Sequence, residues 1–361
     1  MEGDLIKTYP MLTPLSWMYG LATGIRNFMF ETGVLKSKSY DVPIINIGNL
    51  TAGGTGKTPH TEYLIRLLQD SNQVAVLSRG YKRKSKGFIL ADATMPMSKI
   101  GDEPYQMKHK FPKIHMAVDK NRCHGIEKLI SPAIKPEVDV ILLDDAYQYR
   151  YVQPGVNILL MDYHRLVYYD KLLPAGRLRE SAKGKNRADV VIVTKCPTYI
   201  TPMDKRGIER SLCLETWQRL FFTTYRYDEA YKVTDKSVTL SFDELKNKEI
   251  VLVSGIASPE QLEYDLKKQG INFTSIHYSD HHNFTSADIK LIRQKAEGKI
   301  ILMTEKDAAR TDGLFGEDIE KIYALPIEVE FMGDKEDVEF NNIIKSYISK
   351  NSRNSILLKK K

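Results

Sequence analysis

The feature that most constrains the fold is a short apolar run that breaks into glycines and ends in Gly-Lys-Thr, at residues 44–59. Gly53, Gly54 and Gly56 have no Cβ atom, so the backbone can turn tightly and aim its N–H groups inward. Lys57 follows these glycines at the position that reaches the β- and γ-phosphates of a nucleotide. The pattern therefore predicts a P-loop for ATP. The predicted ATP-binding residues are Thr51, Ala52, Gly53, Gly54, Thr55, Gly56, Lys57 and Thr58.

The residues on both sides of this loop support the prediction. Residues 44–47 are typical of a buried strand, and residues 61–68 carry apolar side chains at helical spacing. The loop then lies at a helix N-terminus, where the helix dipole favours phosphate. One departure is Thr51, which stands where the strict pattern has glycine. A glycine-rich structural turn is the alternative, but the order of strand, loop, Lys-Thr and helix favours nucleotide binding.

Composition sets limits on the class of protein. A chain of 361 residues is long enough for two domains, and 42% hydrophobic with 27% charged residues is typical of a folded, soluble-type protein. The formal net charge of +7 indicates an acidic partner, which leaves nucleotide, nucleic acid and an anionic membrane surface open. The three cysteines contain no CxxC pair, so the sequence predicts no zinc site or disulfide framework and suits a reducing compartment.

Residues 8–25 carry no charge, yet two prolines and two glycines within them make a poor membrane span. Thr13 can cap a helix that has Pro14 at its first position. One face of that helix would carry Leu15, Met18, Ala22, Ile25 and Met29, and another Ser16, Gly20, Thr23 and Asn27. Aromatic rings and basic residues nearby suit a bilayer boundary. We therefore predict a membrane-interfacial helix in residues 1–40; the alternative is a helix packed on the protein's own core.

From residue 41 the pattern alternates between strands and helices. Apolar runs stand at residues 44–47, 74–77, 138–143, 156–161 and 189–194. This alternation predicts an α/β fold of the P-loop NTPase type, with a mostly parallel sheet in residues 41–218. The third run ends in Asp144 and Asp145, as a Walker B strand does, and these acids can hold Mg²⁺ beside the Thr58 hydroxyl.

Residues 219–361 are predicted to form a second, smaller α/β domain. The segment begins with a β-rich run, and further strands at 250–254 and 299–304 alternate with two helices. The loop at 277–284 contains an Asp-His-His run and lies where it can fold back toward the P-loop domain. A structural role is the alternative for these histidines.

Charged residues concentrate in the loops near the expected phosphate site. Arg79, Asp102, Glu103 and Arg122 lie between the two Walker segments, and Leu178-Arg179-Glu180 follows them. Arginine matches phosphate oxygens in a bidentate manner, and a carboxylate can orient a hydroxyl nucleophile. Solvated surface charge is the alternative for each residue taken singly.

Together these motifs resemble the tetraacyldisaccharide 4′-kinase family, which uses ATP to phosphorylate the 4′-hydroxyl of a tetraacylated glucosamine disaccharide 1-phosphate in lipid A biosynthesis. The resemblance covers most of the chain, and in that family a non-glycine residue is usual at the position of Thr51. The matching segments are Pro-Leu-Ser-Trp-Met-Tyr-Gly at 14–20, Gly-Asn-Leu-Thr at 48–51, the P-loop, Ser-Arg-Gly-Tyr at 78–81, Gly-Asp-Glu-Pro at 101–104, Asp-Asp at 144–145, Leu-Arg-Glu at 178–180, Ser-Asp-His-His at 279–282 and Thr-Glu-Lys-Asp at 304–307.

The resemblance implies roles for individual residues. Asp102 would be the base, paired with His281, while Lys57 and Arg179 would bind phosphate. The implied metal ligands are Thr58, Asp144, Asp145 and Glu180. The implied substrate-binding residues are Arg79, Glu103, Arg122, Gln148 and Asp280. It also implies a peripheral enzyme on the cytoplasmic face of the inner membrane, with ATP, Mg²⁺ and an acylated disaccharide 1-phosphate as ligands and no nucleic acid. Departures from the family pattern are Ala146, Tyr149 and Arg177.

Three other classes of P-loop protein fit less well. A membrane-surface partitioning ATPase usually carries a second lysine before the two glycines, where this chain has Ala52. A guanine-nucleotide switch needs Asp after Thr194-Lys195-Cys196, and the chain has Pro197. A nucleic-acid-stimulated ATPase is favoured by charge alone, because the sequence lacks a motif of stacking aromatic and basic residues.

Overall fold

The computed structural model describes residues 8–256, 259–280, 282–311 and 314–351, without the side chains of 317–319. The strands are β1 Ile44–Asn49, β2 Val74–Ser78, β3 Ile89–Ala91, β4 His115–Val118, β5 Val140–Asp144, β6 Val156–Asp162, β7 Val190–Thr194, β8 Arg219–Tyr227, β9 Ala230–Lys232, β10 Thr239–Leu240, β11 Ile250–Ser254, β12 Phe273–His277, β13 Ile300–Thr304, β14 Ile322–Leu325 and β15 Ile327–Phe331. The α-helices are α1 Thr13–Glu31, α2 Lys57–Leu68, α3 Met97–Ile100, α4 Asp102–Lys110, α5 Arg122–Leu129, α6 Pro202–Leu212, α7 Phe242–Lys246, α8 Pro259–Lys268, α9 Ser286–Ala296, α10 Glu305–Arg310 and α11 Glu336–Asn351.

A nine-stranded sheet organises most of the chain. Its strand order is β15-β8-β7-β6-β1-β5-β2-β4-β3, and only the pairs at its two edges are antiparallel. Strand β1 lies in the centre between β6 and β5, and the five predicted apolar runs form β1, β2, β5, β6 and β7. The predicted α/β fold with a mostly parallel sheet is therefore confirmed.

Both faces of this sheet are covered, which explains why the central strands are apolar throughout. In β1, Ile45 and Ile47 point to one face, where they join a core with α2 and α11. Ile44 points to the other face, where α5 contributes Ile126 to a second core. A strand buried on both faces needs apolar side chains at every position rather than at every other one.

A second sheet of six strands has the order β10-β9-β14-β13-β11-β12. Strands β14, β13, β11 and β12 are parallel, and α8 and α9 each contribute apolar side chains to a core against this sheet. The segment between β9 and β14 thus makes a smaller α/β unit, as the alternating pattern predicts.

The sheet topology does not match the predicted domain boundary at residue 219, because strands beyond that residue belong to the large sheet. Strand β8 extends the large sheet beside β7, β15 pairs with β8, and α11 packs on the same face. Phe221, Phe331 and Phe340 form an aromatic cluster there, with ring centroids 5.1–5.8 Å apart. Residues 219–227 and 327–351 therefore lie with the P-loop sheet, and the smaller unit is an insertion between them.

Helix α1 contacts the rest of the protein through its polar face. The Ser16 hydroxyl donates to the Leu172 carbonyl at 3.0 Å, and the Asn27 amide donates to Glu180 at 3.0 Å. The Tyr19 hydroxyl donates to the Arg179 carbonyl at 2.7 Å. A 3-10 turn at Pro10–Leu12 leads directly into the helix, so that Thr13 is its first residue rather than its cap.

The apolar face of α1 points away from the protein. Six of its large side chains are more than half exposed: Leu15, Trp17, Met18, Leu21, Ile25 and Phe28. This orientation contradicts the alternative in which the apolar face packs on the protein's own core. Within the described ranges, no helix is long and apolar enough to cross a membrane.

Candidate active site

The loop between β1 and α2 has the backbone that its glycines predict. Gly53 and Gly56 have φ angles of +123° and +85°, which L-residues with a side chain rarely adopt. A Cβ atom at Gly56 would overlap the Tyr225 hydroxyl, so glycine is required there for space as well. The Asn49 amide donates to the Thr55 hydroxyl at 2.8 Å and ties the start of the loop to its centre.

The turn after β7 supports this loop from beneath. The Thr194 hydroxyl donates to the Thr55 carbonyl at 2.9 Å, and the Lys195 ammonium donates to the Gly54 carbonyl and to Asp162. In the sequence these residues look like an incomplete guanine-reading motif. In the structure they fix the P-loop backbone, a role that their position at the end of a neighbouring strand allows.

Asp145 lies between two cations at the end of β5. Its Oδ1 atom is 3.7 Å from Lys57 Nζ and 3.0 Å from a guanidinium nitrogen of Arg179. Burial opposes ionisation, but the charges of Lys57 and Arg179 outweigh it and hold the pKa of the Asp145 carboxyl below its usual value. The structure thus brings together three residues predicted for phosphate and metal binding.

Asp144 is buried at the last position of β5, opposite Ile47 of β1. Its Oδ2 atom accepts a hydrogen bond from the Ser78 hydroxyl at 2.9 Å, while Oδ1 has no hydrogen-bond partner among the described residues. Burial, with the nearby charges of Glu103 and Asp145, raises the pKa of Asp144 to about 7. An unsatisfied buried carboxylate oxygen at this edge fits a divalent cation or one of its water ligands.

Ser78 is a site residue that the sequence reasoning did not single out as functional. It ends β2, the strand next to β5, and the register of parallel strands brings it beside Asp144. The available signal was its place directly after a buried apolar run that neighbours the Walker B strand.

Glu180 lies on the other side of the Arg179 loop. Its carboxylate accepts hydrogen bonds from Asn27 at 3.0 Å, Gln148 at 3.2 Å and Arg187 at 2.8 Å. These contacts make it a link between α1 and the loop, so its predicted role as a metal ligand stays a prediction. In the ranges that the structure describes, no group of three or more His, Cys, Asp or Glu side chains is arranged to hold a metal.

The predicted substrate-binding residues occupy different environments. Arg122 is buried, and its guanidinium donates to the carbonyls of Asp119 at 2.8 Å and Asp144 at 3.3 Å, which supports the Walker B turn. Gln148 donates to the Asn49 carbonyl at 2.8 Å, next to the P-loop. Arg79, after β2, and Asp280, after β12, are exposed.

Asp102 begins α4, directly after Gly101, whose φ of +96° makes the sharp turn into the helix. Its Oδ1 atom accepts from the Glu103 amide at 3.0 Å, and its Oδ2 atom accepts from Arg310 at 2.7 Å. Glu103 also pairs with Lys306 at 3.3 Å. His281 lies outside the described residues, so its pairing with Asp102 stays a prediction.

The carboxyl ends of β1, β2 and β5 thus bring a phosphate-binding loop, a lysine and two acids to one edge of a parallel sheet, where such sheets bind ligands. This fold and this site define a P-loop nucleotide-binding protein. More narrowly, the chain belongs to the family described as tetraacyldisaccharide-1-P 4′-kinase, whose model matches residues 8–348. The resemblance seen in the sequence is therefore confirmed.

Individual relatives agree with this assignment. The chain is similar to the tetraacyldisaccharide 4′-kinase of Phocaeicola vulgatus, with 53% identity over 364 residues, 98% of this chain and 99% of the relative. The Porphyromonas gingivalis protein of the same name is 42% identical over 355 residues, 94% of this chain and 98% of the relative. A crystal structure of "apo" form LpxK from Aquifex aeolicus in complex with ATP matches with a TM-score of 0.75 at 30% identity, over 94% of this chain and 99% of that one.

Proposed function

We propose that this chain transfers the γ-phosphate of ATP to the 4′-hydroxyl of a tetraacylated glucosamine disaccharide 1-phosphate. The observation that carries the proposal is the grouping of Lys57, Asp144 and Asp145 at the sheet edge, in a chain of this family. Asp102 begins the neighbouring helix α4, and the charge of Glu103 beside it reaches Asp144. An acceptor hydroxyl between the P-loop and α4 would meet both the phosphate and a carboxylate.

Lys57 and Arg179 would stabilise the transferring phosphoryl group. Both cations contact Asp145, so they are held at one place before any nucleotide arrives. Charge spreads over the equatorial oxygens during phosphoryl transfer, and fixed cations at that point lower the barrier most. The backbone N–H groups of residues 53–58 would bind the remaining phosphate oxygens.

We propose Thr58, Asp144 and Asp145 as the residues that hold Mg²⁺. Support comes from the unsatisfied Oδ1 atom of Asp144 and from the small number of protein ligands that Mg²⁺ needs when phosphates supply the others. Bound there, Mg²⁺ would neutralise negative charge on the β- and γ-phosphates. Asp145 would then exchange part of its contact with Lys57 for contact with the ion and its water.

Asp102 is proposed to accept the proton of the acceptor hydroxyl. An alcohol is not ionised at neutral pH, so a carboxylate in hydrogen-bond reach is needed to make it attack. Asp102 Oδ1 accepts a hydrogen bond from the Glu103 amide and Oδ2 accepts from Nε and Nη2 of Arg310, which fixes the plane of the carboxylate. His281 is proposed to orient this unit.

The enzyme is proposed to work as a peripheral protein on the cytoplasmic face of the inner membrane. An acylated disaccharide lies in a bilayer, whereas ATP lies in the cytoplasm, so both must meet at that surface. The exposed apolar face of α1 supports this placement, because rings such as Trp17 and Phe28 suit the headgroup region. The hydrogen bonds of Tyr19 and Asn27 connect this helix to the Arg179-Glu180 loop.

One experiment separates the proposed function from a nucleic-acid-stimulated ATPase and from a partitioning-type ATPase. ATP turnover by the full chain is measured with the acylated disaccharide 1-phosphate in mixed micelles, with DNA, and with anionic vesicles alone. We expect turnover to depend on the lipid acceptor and to yield one phosphorylated lipid per ATP consumed. Turnover stimulated by DNA, or by vesicles without acceptor, would instead identify a nucleic-acid or partitioning-type ATPase.

A further inference from the structure

Two short helices from different sheets meet beside the candidate base. Helix α4 begins within the Gly-Asp-Glu-Pro segment, between β3 and β4 of the large sheet, and α10 follows β13 of the small sheet. Three pairs of opposite charge join them: Asp102 with Arg310, Glu103 with Lys306, and Lys110 with Glu305. The small unit therefore docks on the large one through charges next to the reaction centre.

Arg310 is the most constrained member of this interface. Its side chain is 2% exposed, and one of its terminal nitrogens donates to the Gly255 carbonyl and to Asp307, both at 3.1 Å. Asp307 is itself buried and accepts from the Gly255 amide at 2.9 Å and the Thr304 hydroxyl at 2.8 Å. The small unit alone thus fixes the orientation of this guanidinium.

The opposite edge of the guanidinium points at Asp102. Its Nε and Nη2 atoms lie 3.2 Å and 2.7 Å from Asp102 Oδ2. A planar guanidinium held on one edge is a rigid donor on the other, unlike the flexible ammonium of lysine. Oδ1 of Asp102 accepts from the Glu103 amide while Oδ2 accepts from Arg310. Because both oxygens are held, the carboxylate cannot rotate freely about its Cβ–Cγ bond.

We propose that Arg310 is a positioning residue for phosphoryl transfer: it orients the Asp102 carboxylate toward the acceptor hydroxyl and makes the placement of the small unit a condition for transfer. The proposal rests on the proposed role of Asp102. Arg310 acts through that carboxylate rather than on the substrate. The same contact opposes basicity, because a neighbouring cation stabilises the ionised form of a carboxyl group. Orientation is the larger effect here, since misplacement of a catalytic group can slow a reaction by about 100-fold.

The test is a double-mutant cycle on the full chain, with Arg310→Gln and Arg310→Lys in the wild-type and Asp102→Asn backgrounds. We expect each substitution of Arg310 to lower kcat by about 10- to 100-fold while KM for ATP changes by less than about threefold. Arg310→Lys keeps a positive charge beside Asp307, so it should fold, yet it loses the two-nitrogen contact. In the Asp102→Asn background, Arg310→Gln should reduce the residual rate by less than about twofold.

Two control variants separate positioning from docking and from general stability. Glu305→Gln removes the pair with Lys110 from the same interface without touching Asp102, and Arg226→Gln removes an exposed arginine–glutamate pair on β8. Both should keep kcat within about twofold of wild type, although Glu305→Gln is expected to lower the melting temperature.

The outcomes that overturn the proposal are distinct. Equal losses from Arg310→Gln in both backgrounds would show that Arg310 acts elsewhere. An unchanged kcat with a lowered melting temperature would leave it a purely structural role, and a raised kcat would show that it restrains the base. If the Asp102→Asn variant phosphorylated the lipid at the wild-type rate, the proposed role of Asp102 as the base would be wrong. That result would contradict the proposed function rather than the role of Arg310 alone.

Discussion

The ammonium group of Lys57 lies 3.7 Å from Asp145 Oδ1, so the lysine of the P-loop is paired with the second acid of the Walker B strand. The same oxygen lies 3.0 Å from Arg179. A nucleotide phosphate that binds Lys57 would therefore replace this contact within the protein. The pairing with Asp145 keeps the two cations in place without a substrate.

The first prediction concerns Lys57. Lys57→Ala removes a positive charge where negative charge must be stabilised in the transition state, so kcat should fall by about 10²- to 10³-fold. Steady-state phosphorylation of the lipid measures this, and circular dichroism establishes that the variant is folded. Near-normal turnover by a folded variant would contradict the assignment of the P-loop.

The second prediction uses the two tryptophans of the chain, Trp17 on α1 and Trp217 before β8, which are 72% and 62% exposed. Only the first lies on the proposed membrane face. In the Trp217→Phe variant, anionic vesicles should shift the tryptophan emission to shorter wavelength, because the remaining ring enters the headgroup region. The Trp17→Phe variant is the matched control and should show no shift. A shift in the control alone would place the membrane surface elsewhere.

The third prediction concerns His60, which is buried just after the P-loop. Its ring nitrogens contact the Gly56 carbonyl at 2.8 Å and the Thr223 hydroxyl at 3.1 Å, and burial lowers its pKa to about 4. The unfolded chain takes up this proton near pH 6.5, so the free energy of unfolding should fall as the pH drops from 6.5 to 4, by about 3 kcal/mol in total.

Urea unfolding at pH 7 and pH 4.5 measures this effect. His60→Gln lacks the titrating group, so it should lose less stability than wild type over the same interval, whatever its stability at pH 7. An equal loss in both proteins would show that other groups cause the acid sensitivity.

The fourth prediction concerns the proposed unit of Asp102 and His281. Each alanine substitution should lower kcat far more than it raises KM for ATP, and the double variant should be little worse than the worse single variant. Residues that share one step give such non-additive losses, whereas independent roles give losses that multiply. Steady-state kinetics of the three variants would decide between these cases.

Local patterns were sufficient to predict which segments meet at the candidate nucleotide site. The glycines before Lys57 and the apolar run before Asp144 each specify a strand end, and parallel pairing brings adjacent strand ends together. The predicted loop and acids therefore meet in the structure as the sequence suggests.

Contacts between distant segments were not predictable in the same way. Asp102 and Arg310 are 208 positions apart, and a short helix with mixed charges carries no signal of its partner. The boundary predicted at residue 219 rests on a local β-rich run, whereas the return of β15 to β8 depends on pairing across about a hundred residues. The orientation of α1 was also open, because hydrogen bonds from Ser16 and Asn27 decide which face packs.

The most direct measurement follows labelled γ-phosphate from ATP in a single turnover with the tetraacylated disaccharide 1-phosphate, for wild type and Asp102→Asn. The proposed mechanism predicts label on the 4′-oxygen of the lipid in wild type, and transfer slowed by at least about 100-fold in Asp102→Asn although ATP still binds. Release of the label as inorganic phosphate from an unmodified acceptor, or transfer at the wild-type rate by Asp102→Asn, would contradict it.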